Sequence, residues 1–74
     1  MRVNLKQARI DKGLTQKQVA EYLEISETAY QKIEYGQIIG KIIHWDKLED
    51  LFGIHQRVLR SSDKVINRYV KKSR

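Results

Sequence analysis

The stretch 15-TQKQVAEYLEISETAYQKIEYG-36 decides how this chain folds. It contains two short helical patterns, each opened by a hydroxyl residue. Thr15 is the expected N-cap of the first, with Gln18 three residues on at the capping-box place. Val19, Ala20 and Leu23 form its inner face, and Ile25 plugs the turn that follows. Ser26 caps the second pattern, whose inner face is Ala29, Tyr30 and Ile33, and Gly36 ends it. Two helices joined this tightly must cross steeply, so that the second projects from the surface.

On the N-terminal side, Leu5, Ala8 and Arg9 share one face at spacings of three and four. They predict a helix from about Asn4 to Lys12, stopped by Gly13. On the C-terminal side, Gln37 to Lys41 reads as a loop carrying Ile38 and Ile39. A helix from Ile42 to Phe52 follows, with Trp45, Leu48, Leu51 and Phe52 as its buried face and Gly53 as its stop. Ile54 adds to the core. A short helix near Gln56–Arg60 offers Val58 and Leu59. No segment shows sustained period-two alternation, so an all-α fold is expected. Residues 1–60 form the expected domain and 61–74 a basic C-terminal tail. In the tail Val65, Ile66, Tyr69 and Val70 fall on one helical face, while Lys64, Arg68, Lys71 and Lys72 lie elsewhere. So short a helix forms only if it packs on the body or on a partner.

The chain has 74 residues, no Cys and a formal charge of +6. A core this small is marginal alone, and disulfides and thiolate metal sites are excluded as staples. Acidic and basic residues cancel through position 54. The whole excess lies in residues 55–74, where Arg57, Arg60, Lys64, Arg68, Lys71, Lys72 and Arg74 stand against Asp63. A basic tail suggests a polyanionic partner. No apolar run approaches the ~20 residues of a membrane span. Met1-Arg2-Val3-Asn4-Leu5 lacks a signal-peptide pattern, so a cytoplasmic protein is expected. His44 and His55 are isolated, with no metal-ligand spacing. No nucleophile–base pair or phosphate loop is present, so neither an enzyme nor a cofactor is expected.

The run Leu5-x-x-Ala8-Arg9-x-x-Lys12-Gly13-Leu14-Thr15-Gln16-x-x-Val19-Ala20-x-x-Leu23-x-Ile25-Ser26-x-x-Ala29-Tyr30-x-x-Ile33-Glu34-x-Gly36 resembles the Cro/C1-type (XRE) helix-turn-helix family. The likeness continues through Leu48 and Leu51-Phe52-Gly53-Ile54. It implies a five-helix, lambda-repressor-like DNA-binding domain, usual in bacterial and phage regulators. In that family the second helix of the pair enters the major groove, and members commonly bind as two-fold dimers. At this length the chain looks like a Cro-sized stand-alone regulator. Two positions depart from the common pattern. Glu24 stands in the turn where many members have Gly, and the loop before the fourth helix lacks their Pro.

The resemblance assigns a phosphate contact to Gln16 and places Ser26, Glu27, Thr28, Gln31 and Lys32 on the exposed side of the recognition helix. Gln can pair with adenine, Lys can donate to guanine, Thr can meet a thymine methyl, and Glu can accept from cytosine N4. Lys17, Tyr35 and Lys41 are expected on phosphates. Arg9 and Glu34 match a semi-buried structural ion pair. Tyr22 and Tyr30 occupy positions that are usually core or semi-core. Ile38, Ile39, Ile42 and Ile43 exceed what one small core readily buries. They point either to an apolar patch at a two-fold interface or to packing around Trp45. The partner expected is therefore double-stranded DNA, bound by a homodimer that acts as a repressor. The runner-up is an antitoxin-like interaction module that holds a protein partner through its tail and also binds its own promoter.

Overall fold

Thr15 begins the element that orders the rest. In the computed structural model, which describes residues 1–61, its hydroxyl accepts the Gln18 amide and the Gln18 side chain accepts the Thr15 amide in return. This reciprocal cap starts α2 (Gln16–Leu23). Ser26 does the same work for α3 (Glu27–Glu34) by accepting the Ala29 amide at 3.0 Å. The other helices are α1 (Val3–Asp11), α4 (Ile42–Phe52) and α5 (Gln56–Arg60). No strand occurs among the described residues. α2 and α3 pack on each other. α1 bridges α3 and α5, and α4 closes the bundle against α2 and α5. Residues 62–74, and with them the apolar face expected in the tail, lie outside the described residues.

Between α2 and α3 the chain reverses at Glu24, the one non-glycine residue with positive φ among those described, at 61°. A side chain in the left-handed region costs roughly 1 kcal/mol, which is why glycine is common at such a turn. Ile25 then tucks against the core, and its amide donates to the Ala20 carbonyl at 3.0 Å. The tight reversal between α2 and α3 thus rests on a left-handed residue and an apolar plug.

The core consists of Leu5, Ala8, Val19, Ala20, Leu23, Tyr30, Ile33, Trp45, Leu48 and Leu59, with Leu14, Ile25, Phe52 and Ile54 packed around it. Ala29 and Leu51, expected on inner faces, are half-buried. Tyr22 departs from expectation: it is 44% exposed. Val19, Ala20 and Leu23 already define the buried stripe of α2, and position 22 lies beyond its edge. Tyr30, in contrast, is fully buried.

Gly40 lets the loop into α4 pass close to the core. Its φ is 82°, and a Cβ there would sit 3.2 Å from Ile33 Cδ1 and 3.5 Å from Trp45 Nε1. Trp45 Nε1 donates to the neighbouring Ile39 carbonyl at 2.7 Å, so the indole is both a core residue and the anchor of this loop. Neither isoleucine of the loop is buried. Ile38, Ile39, Ile42 and Ile43 are all exposed, so the alternative of packing around Trp45 does not hold.

Candidate nucleic-acid interface

α3 presents its outer face because its inner face is held by charge as well as by apolar contact. Tyr30, Ile33 and Glu34 are buried. The Glu34 carboxylate, with no exposed surface, meets the Arg9 guanidinium at 3.0 Å from Nε to Oε2 and 3.0 Å from Nη2 to Oε1. Arg9 Nη1 also donates to the Leu14 carbonyl at 2.9 Å, which ties α1 to the segment leading into α2. Hydrogen bonding to Glu34 raises the Arg9 pKa. The Tyr30 phenol lies among these charges. Burial, and then the Glu34 carboxylate, push its pKa up, so it remains neutral. Its oxygen has no hydrogen-bond partner that meets ordinary geometry.

This buried pair extends toward the surface through two amides. Gln16 Nε2 donates to Glu34 Oε2 at 3.4 Å, and Gln16 Oε1 accepts from Gln31 Nε2 at 3.3 Å. The two glutamines, fifteen positions apart in sequence, therefore meet where α2 starts beside α3. Both are half-buried. Gln16 is the first residue of α2 and Lys17, exposed, the second.

Glu27, Thr28 and Lys32 are exposed on α3. Thr28 and Lys32 are four positions apart, and Tyr35 stands seven from Thr28, so the three line one ridge of the helix. Tyr35 is the C-cap and is exposed. Ser26 is engaged at the N-cap. Lys41 lies apart from this ridge, exposed at the N-cap of α4. The fold thus brings Gln16 and Gln31 together, leaves Lys17 exposed in the first turn of α2, sets Thr28, Lys32 and Tyr35 along one helical ridge, and leaves Lys41 across the loop.

Arg2 is the residue that local sequence pattern does not disclose. It is buried, and its guanidinium lies 5.2 Å from the centroid of the Trp45 ring. Nε donates to the Arg60 carbonyl at 3.2 Å, while Nη1 donates to the carbonyls of Ile33 and Ile38, the latter at 2.8 Å. Its backbone amide donates to the Glu34 carbonyl at 2.8 Å. One side chain therefore caps the end of α3, the loop after it and the end of α5. Burial and the Arg60 charge lower its pKa. Among the described residues no cluster of His, Asp and Glu could hold a metal ion, and no helix is long and apolar enough to cross a membrane.

A capped helix, a left-handed turn and a second helix with an exposed polar ridge, set on a small helical body, define a helix-turn-helix unit. A helix-turn-helix family model matches residues 5–59, and the chain belongs to this Cro/C1-type family of DNA-binding regulators. No curated protein and no solved structure matches it significantly.

Proposed function

We propose that this chain is a sequence-specific repressor of bacterial or phage type. In this reading it acts as a homodimer with one α3 helix in each of two successive major grooves, about 34 Å apart on a pseudo-palindrome. Repression follows from occupancy of the operator. The observation that carries the reading is the polar outer ridge of α3, held by the buried Arg9–Glu34 pair.

In this reading Thr28 and Lys32 contact base edges, with Thr28 against a thymine methyl and Lys32 donating to guanine. Glu27 accepts from cytosine N4 or excludes other sequences, and Ser26 sits against the backbone at the helix start. Gln16 donates to a phosphate at the N-terminus of α2, where unpaired amides favour an anion. Gln31 supports Gln16 and offers its carbonyl oxygen to a base-edge amine. Lys17, Tyr35 and Lys41 neutralise or hydrogen-bond phosphates and set the register.

The test compares two lysines on one operator. Lys32→Ala should relax preference at a single base position and cost about 1–3 kcal/mol there. Lys17→Ala should weaken binding alike on all sequences and reduce the salt dependence by about one phosphate contact. Uniform weakening by both variants would refute base reading by Lys32.

A further inference from the structure

Four isoleucines stand in solvent within six positions of one another. Ile38 is 42%, Ile39 71%, Ile42 78% and Ile43 58% exposed. They occupy the loop after α3 and the first turn of α4. Exposed apolar residues scattered singly are ordinary, but four isoleucines this exposed and this close in the chain are not scattered, and grouped apolar exposure marks contact surfaces. Beyond Ile42, at helical spacings of four and eight, the same face of α4 carries Asp46 and Asp50, both exposed. The surface is thus apolar at one end and acidic at the other.

We propose that this surface is the docking site of the chain's own residues 62–74. The first reason is where the described chain ends. Arg2 donates from Nε to the Arg60 carbonyl and from Nη1 to the Ile38 carbonyl, so one guanidinium spans the distance between the end of α5 and the isoleucine loop. Four residues lead from Ser61 to Val65, enough to cross roughly 13 Å when extended. The second reason is chemical. The segment carries Val65, Ile66, Tyr69 and Val70 at helical spacing, an apolar stripe suited to the isoleucines. It also carries Lys64, Arg68, Lys71 and Lys72, opposite in sign to Asp46 and Asp50. Third, a tethered segment meets the surface at an effective concentration that a free partner reaches only when abundant. The other exposed apolar residues at the N-terminal end, Met1, Val3 and Ile10, are fewer and are spread over ten positions.

The chain has no Cys, so introduced thiols report without background. The full-length Ile42→Cys/Ile66→Cys protein, at low micromolar concentration, is treated with a short bismaleimide. Gln7→Cys/Ile66→Cys serves as the reference, because Gln7 is exposed on α1 one turn from Asn4, whose amide donates to the Ser61 carbonyl. Helical circular dichroism and Trp45 emission verify that both variants fold. The products are separated by mass into monomer and dimer. Docking predicts an intrachain cross-link at 42/66 that forms about tenfold or more faster than at 7/66, since an undocked tether samples both targets comparably. Equal rates, a faster reaction at 7/66, or no reaction at either pair would overturn the proposal. Cross-linking only between chains at 42/66 would also overturn it, and would give the patch to a second copy.

Discussion

The Arg9 guanidinium and the buried Glu34 carboxylate are joined by two 3.0 Å hydrogen bonds, which fasten α1 to the end of α3. Such a pair adds little net stability, but removing one partner strands the other charge. Glu34→Ala should destabilise the fold by about 3–5 kcal/mol. That is a large share of what a domain this small possesses. Loss of DNA affinity should follow only indirectly, from the unfolded fraction and from a Gln16 side chain no longer held by Glu34. Thermal unfolding and binding measured on the same sample check this. A variant that kept its Tm but lost affinity would show that Glu34 acts at the DNA.

Arg2 presents a different dependence, on shape as well as charge. Its flat fork serves three carbonyls and lies over the Trp45 ring. A lysine keeps the charge but not the fork. Arg2→Lys should therefore cost about 1–3 kcal/mol, the penalty of leaving buried carbonyls unsatisfied. The Trp45 emission maximum should shift as its neighbour is lost. Urea unfolding followed at Trp45 measures both effects, and an unchanged midpoint would remove Arg2 from the core.

Glu24 gives a prediction of opposite sign. It holds φ 61° in the turn, and its carboxylate meets Lys47 at 3.4 Å on the exposed surface. An exposed pair of this kind contributes little. Glu24→Gly should stabilise the chain by up to about 1 kcal/mol, relief of left-handed strain outweighing the entropy that glycine loses. Chemical denaturation of the two proteins decides it, and a lower midpoint for the glycine variant would contradict the strain.

Acidification should act through His44. Burial first, and then the charges of Lys41 and Lys47, hold its pKa below the ordinary 6.5. The folded chain thus binds this proton less readily than the unfolded one. The His44 contribution to stability is complete above pH 6.5 and declines as pH falls from there to the lower folded pKa. His44→Gln should flatten that part of the stability profile. A slope that survives the substitution would assign it to another group.

Local chemistry made most of the fold legible. Thr15, Gln18 and Ser26 announce helix starts through side-chain to backbone bonds only three residues long, and the α4 and α5 boundaries coincide with the expected ones. The residues that escaped depend on distant partners. Arg2 in sequence is merely one of several cations; its acceptors lie 31 to 58 positions away and carry no side-chain signature. Gln31 reads as an outward helix residue until α2 is placed beside it, bringing Gln16 within 3.3 Å. Tyr22 stands at a position that is usually core or semi-core in the family, yet Val19, Ala20 and Leu23 are the buried residues of α2 and Tyr22 is exposed.

Selection from a random duplex DNA pool, at low and near-physiological salt, tests the role of α3 most directly. We expect a two-fold motif with half-sites about one helical turn, ~34 Å, apart, and changed base preference within each half-site for Lys32→Ala. Recovery of no motif, with binding that vanishes as salt rises, would contradict sequence-specific recognition and leave only the electrostatics of the basic tail.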